Sequence, residues 1–166
     1  MSKWTFGWVL ILFIDTIFAL RGIAEKNPRT IRGVTIYKSM VAARGGDADA
    51  MKRIGDYHIK WNKSTESYKQ ALDWYLRAAQ KGQPQAMSEI GRIYMNSLAG
   101  ELNYEKSRYW LEKAIATDPE NVEIMWIRLL LFRRENDKEG FISLSRRIEE
   151  IKPGYIRYRI NQLSRD

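Results

Sequence analysis

The strongest constraint on this chain is an internal repeat. Ala42, Ala43, Gly46, Ala50, Met51, Ile54 and Gly55 recur without a gap, 36 residues on, as Ala78, Ala79, Gly82, Ala86, Met87, Ile90 and Gly91. The same offset carries Trp74 onto Trp110 and Ala78 onto Ala114, then more weakly Ala86 onto Val122 and Ile90 onto Trp126. A period of this length marks one supersecondary unit that cannot bury its apolar face alone and must stack on its neighbours. Within a unit the apolar spacing is helical. Ala71, Trp74, Tyr75, Ala78 and Ala79 follow i, i+3, i+4, i+7, i+8, and Met87, Ile90, Gly91 and Tyr94 form a second stripe, so each unit reads as two amphipathic helices. Gly82 followed by Pro84 separates them: glycine suits the left-handed position past a helix end, and proline suits the first turn of the next. Small residues at the repeated positions predict close helix crossings. Asp118 before Pro119 reads as a further N-cap and first-turn proline.

The expected fold is therefore all-α, an α-solenoid of about three helix pairs. A helix over 31–45 stands in for a preceding second helix; pairs follow at 47–81, 83–117 and 119–151; a capping helix covers 155–163 after Pro153-Gly154. At 166 residues the chain is one domain's length. The expected division is a leader at 1–24, a linker at 25–30 and the helical domain at 31–166.

Composition removes several chemistries. With no cysteine there is no disulfide scaffold, thiol nucleophile or thiolate metal site, and the single His58 leaves no His-rich metal site. His58 reads as a packed, hydrogen-bonded residue. Trp74, Trp110 and Trp126 fall on core positions of the repeat rather than forming a ligand box. Glu149-Glu150 and Asp47/Asp49 do not converge on one point and read as solvated faces. No phosphate loop, His-Glu metal motif or nucleophile elbow is present, so neither an enzyme nor a cofactor is expected. Against 20 acidic residues stand 28 Lys and Arg, a net +8 that suits a membrane surface or an acidic protein. The basic residues of the last forty positions are mixed with acids, so nucleic acid is not an expected partner.

The string from Ala71 to Tyr94 (ALDWYLRAAQKGQPQAMSEIGRIY), followed by Tyr104 to Ala114 (YEKSRYWLEKA), resembles the Sel1-like repeat family, a tetratricopeptide-like group. It follows that family's W-x-x-x-A-A-x-x-G, A-x-x-x-L-G-x-x-Y and K-A-x-x-W elements, with Ile54 and Ile90 for the usual Leu, Ser107 for the Ala of the last, and a loop from Asn96 to Asn103 that holds only Gly100 of the usual G-x-G. The likeness covers about residues 40–117 and fades over 118–151.

In such stacks the first helix of each pair lines the concave surface. Counted from Gly55 and Gly91, the +1 positions are Asp56, Arg92 and Arg128, the −3 positions Lys52 and Ser88, and the +5 positions Lys60 and Asn96. These seven residues are the expected partner-binding ladder. The resemblance implies a non-catalytic adaptor or inhibitor of the bacterial cell envelope that binds another protein. A sharper version is an immunity protein neutralising a secreted toxin such as a type VI secretion lipase; a lipid-handling or enzymatic factor is the alternative of another class.

Met1 to Leu20 holds one lysine and then an apolar run from Trp8 broken only by Asp15 and Thr16. With the small-x-small triplet Gly22-Ile23-Ala24, this reads as a secretory signal cleaved before Glu25 or as an anchor retained over 4–20, and it points to the periplasm. Arg21, Lys26, Arg29 and Arg32 favour the opposite topology by the positive-inside rule. Fusing residues 1–30 to a reporter active only outside the cytoplasm is expected to give signal; activity only from a cytoplasmic reporter would reverse the topology.

Overall fold

The computed structural model describes residues 28–164. Among them the chain is all-α, with α1 Pro28–Arg44, α2 Ala48–Trp61, α3 Thr65–Gln80, α4 Pro84–Met95, α5 Tyr104–Thr117, α6 Val122–Glu135, α7 Lys138–Ile151 and α8 Tyr155–Leu163. Each helix packs on its chain neighbours, most extensively α2 on α3 and α4 on α5, and α4 also meets α6. No helix of the described residues is long and apolar enough to cross a membrane. The leader assigned to 1–24 lies outside the described residues.

The boundaries follow local chemistry. Gly46 and Gly82 take positive φ, +91° and +84°, and the next residues return hydrogen bonds, Asp47 N–H to the Ala42 carbonyl and Gln83 N–H to the Ala78 carbonyl. This is the same glycine-terminated helix end twice, 36 residues apart. Side chains then start the next helices: Asp47 accepts from the Ala50 N–H and Gln83 from the Ala86 N–H, with Pro84 in the first turn. Two boundaries differ from the sequence reading. The first helix begins at Pro28, so residues 28–30 of the expected linker are helical. The third pair begins at Val122: Asp118 ends α5, and Asn121 is the N-cap, its side-chain carbonyl accepting from the Ile124 N–H while its amide donates to Asp118.

The two long hairpins are built on one crossing. A Cβ added at Gly55 would sit 2.5 Å from Tyr75 Cε1; one at Gly91 would sit 2.6 Å from Leu111 Cγ and 3.2 Å from the Ser107 carbonyl. Tyr75 and Leu111 are themselves 36 residues apart and both fully buried. Missing side chains on α2 and α4 thus receive large ones from α3 and α5. At the second crossing the buried Ser107 hydroxyl donates to the Gly91 carbonyl at 2.8 Å, adding a direct link between the helices.

The third pair reverses the arrangement. Ile127 stands where a glycine would be, and the small residue is Gly140 on α7, whose added Cβ would strike the Phe132 ring of α6. The core divides accordingly. One buried group runs from Ala43 through the first two pairs and reaches Ile124 of α6; a second joins Val122, Met125, Trp126, Leu129, Ile148 and Tyr155; Met95, Leu111 and Leu131 form a small third between them. The final helix, α8, sets the Tyr155 ring edge-on to Trp126 and the Arg159 guanidinium 5.3 Å from the Trp126 ring. Trp126 Nε1, the Tyr155 hydroxyl and Arg159 Nε are buried there without a hydrogen-bond partner among the described residues, and the Glu149 carboxylate of α7 ties the start of the helix by accepting from the Gly154 and Ile156 N–H groups.

Gly55→Ala and Gly91→Ala test the crossings. In an open helix each gains about 1 kcal/mol of propensity. Overpacking against Tyr75 or Leu111 costs about 1–3 kcal/mol, so the net loss is up to about 2 kcal/mol and the expected result is a fall in Tm of up to about 8 °C for a chain of this size. A rise in Tm for either variant would show that the helices do not cross at that glycine.

Candidate functional site

The expected ladder divides into residues that line a groove and residues that hold the fold. The +1 positions belong mainly to the second group. Asp56 accepts from the Tyr75 hydroxyl of α3 at 2.8 Å and from Lys52 Nζ at 2.8 Å. Burial, with the Asp56 charge beside it, pushes the Tyr75 hydroxyl far above its ordinary pKa, so it stays a donor. Arg92 donates through two nitrogens to Glu89; burial works against its charge, but Glu89 prevails and the guanidinium is held above its usual range.

Arg128 departs furthest from expectation. It is 6% exposed, lies with its guanidinium carbon 3.6 Å from the Phe132 ring centre, and reaches Glu135 at 3.3 Å and Glu112 at 3.4 Å. Glu135 is also joined by Arg108 of α5 at 2.5 Å. Arg128 is therefore a structural link between α5 and α6 and not a partner-facing residue; reversing its charge would test stability. Ser88 is buried at the floor of a hollow, and its hydroxyl donates to the Gln85 carbonyl of its own helix. Lys60 is exposed near the end of α2. His58 is half-buried, edge-on to Tyr57. Trp74 and Trp110 are half-buried with cations over their rings, Arg77 at 4.7 Å and Lys113 at 5.5 Å, and Trp126 is buried.

Three hollows lie along α6, neighbouring ones sharing a lining residue. The first hollow, about 310 Å³, is lined by Lys52 of α2, Gln85, Ser88 and Glu89 of α4, and Asn121, Glu123, Ile124 and Ile127 at the start of α6. Lys52, Ser88 and Ile124 are successive members of the 36-residue register, and Gln85 and Asn121 are another such pair. A second hollow, about 410 Å³, adjoins it at Ile127 and is lined by Arg92, Met95, Asn96, Leu130, Arg133 and Arg134. A third, about 290 Å³, shares Arg133 and is lined by Phe132, Phe141, Ile142 and the α6–α7 turn. Asn96 is part of this wall: its side-chain carbonyl accepts from Arg134 at 2.7 Å while its amide donates to the Arg92 carbonyl.

Of the seven ladder residues, Lys52, Ser88, Arg92 and Asn96 line these hollows; Arg133, Arg134 and the apolar Met95, Ile127 and Leu130 line them too and were not in the ladder. The available signal was the α6 stripe Ile127, Leu130, Arg134 at i, i+3, i+7. Among the described residues no group of three His, Cys, Asp or Glu stands close enough to hold a metal ion. Comparison of the chain with protein-family models, curated proteins and solved structures returned no match.

Arg128 and Glu135 allow a paired test. Glu135 is 11% exposed and Glu112 is 60% exposed in their side chains. Glu135→Ala strands a buried cation and is expected to cost about 3 kcal/mol or more, whereas Glu112→Ala removes a solvated pair and is expected to cost less than about 1 kcal/mol. Chemical denaturation compares the two; equal losses would show that Glu135 is not the main anchor of Arg128.

Proposed function

We propose that this chain is a non-catalytic protein–protein interaction module, a Sel1-like α-solenoid of the bacterial cell envelope, that holds a partner protein along the faces of α2, α4 and α6. The observation that carries this reading is the first hollow, where equivalent positions of three successive units, Lys52, Ser88 and Ile124, line one surface. A deep pocket suits a small molecule, but an open groove continued from unit to unit suits an extended or folded protein surface. The motif over residues 40–117 supports the family assignment, and the apolar segment at 4–20 supports export with or without a retained membrane anchor. The same open groove supports the sharper form of the proposal, an immunity protein that covers the active site of a secreted toxin.

Site-specific photocrosslinking in the native envelope checks the surface. A crosslinker at Lys52, Gln85 or Glu123 is expected to capture one discrete protein, while one at the exposed Lys69 of α3 or Glu105 of α5 should not. Capture from α3 and α5 alone would place the interaction on the other side of the hairpins and end this proposal.

A further inference from the structure

Two cations on the second and third hollows, Arg133 and Lys138, have no side-chain partner among the described residues, and Arg133 is the one that both hollows share. Arg134 is tied to α4 through the Met95 carbonyl and Asn96, and Arg92 is neutralised by Glu89. Arg133 is exposed, and its guanidinium has no hydrogen-bond, ion-pair or ring partner among the described residues. It stands where the second and third hollows meet. On one side the floor is Met95, Ile127 and Leu130; on the other it is Phe132, Phe141 and Ile142, the last of these 59% exposed. No acidic side chain lines the second hollow, and the only one on the third is Asp137, whose carboxylate accepts the Gly140 N–H as the cap of α7.

Resting on the groove reading above, we infer that Arg133 is the specificity residue of this surface. It receives an Asp or Glu carboxylate from a partner segment whose apolar side chains, one on either side of that acid, enter the two flanking hollows. Charge complementarity commits the site to an acidic segment: a planar guanidinium with all its donors free matches a carboxylate in a two-point hydrogen bond, and apolar walls around it strengthen that contact by thinning the water. An apolar segment without the acid would leave Arg133 partly desolvated and unpaired, and a basic one would be repelled, so the arginine selects by rejection as well as by attraction.

Selection of random peptides of about twelve residues, displayed on phage, against the full chain tests this. The expected winners carry Asp or Glu between two bulky apolar residues. Synthetic copies should bind Arg133→Glu and Ile142→Glu at least about tenfold more weakly than the unaltered chain, and should weaken as NaCl rises from about 0.05 to about 0.5 M. Both positions are exposed, so unchanged circular dichroism and Tm are expected to confirm that the fold is intact. Winners without an acid, winners indifferent to Arg133→Glu, or no winners at all would each overturn the inference. Peptides that crosslink to the groove yet ignore Arg133→Glu would overturn it while leaving the groove reading in place; peptides that crosslink only to α1 or α8 would remove both.

Discussion

The structure depends on two places where a helix has no side chain. At Gly55 and Gly91 the backbone of α2 and α4 comes close enough to α3 and α5 that Tyr75 and Leu111 fill the missing Cβ positions. Close packing of this kind turns each pair into a unit of fixed geometry, because neither ring nor leucine can withdraw without opening a void in a core where both are fully buried. Everything on the opposite side of α2 and α4, the groove included, inherits its spacing from those two crossings. The Asp56–Tyr75 hydrogen bond is a direct example: the ring that packs against Gly55 presents its hydroxyl to the residue next in sequence.

Helix number, order and crossing points were legible in the sequence because they are recorded in periodicity and in the recurrence of small residues. Orientation around each helix was less so. A 36-residue offset states that Asp56, Arg92 and Arg128 share an angle relative to Gly55, Gly91 and Ile127, but not which neighbouring helix covers that angle. For Asp56 it is α3, through Tyr75; for Arg128 it is α5, through Glu112. The offset also stops being informative where units differ in length: α4 ends at Met95 and α6 runs on to Glu135, so Arg133 and Arg134 have no helical counterpart in the preceding unit. The misplaced cap has a similar origin. Asp118-Pro119 carries the signals of a helix start, but Asn121 caps the first turn two residues beyond the proline, and Asp118 is left to end α5 and to accept from Asn121.

The third pair departs from the other two in a connected way. Ile127 stands in place of glycine, and the close contact of the pair lies instead at Gly140 beneath Phe132. The bulk that Ile127 adds also faces α4, where it joins the first two hollows. Loss of the repeat consensus at this position thus coincides with an apolar floor in the hollows beside α4.

The division of the core has a consequence for motion. Between the second and third pairs the buried apolar contact runs through Ile124 of α6, Ile115 of α5 and the small group Met95, Leu111 and Leu131, and charged and polar links flank it, Arg108, Arg128, Glu112 and Glu135 on one side and Arg134 with Asn96 on the other. Charged links weaken with salt while apolar ones do not, so raised salt should loosen the flanks of this seam while its apolar centre holds. The groove bridges that seam. A ligand lying in it would act as a splint, and the free energy of its binding would appear as slower hydrogen exchange in α6 and α7, well beyond the residues it touches.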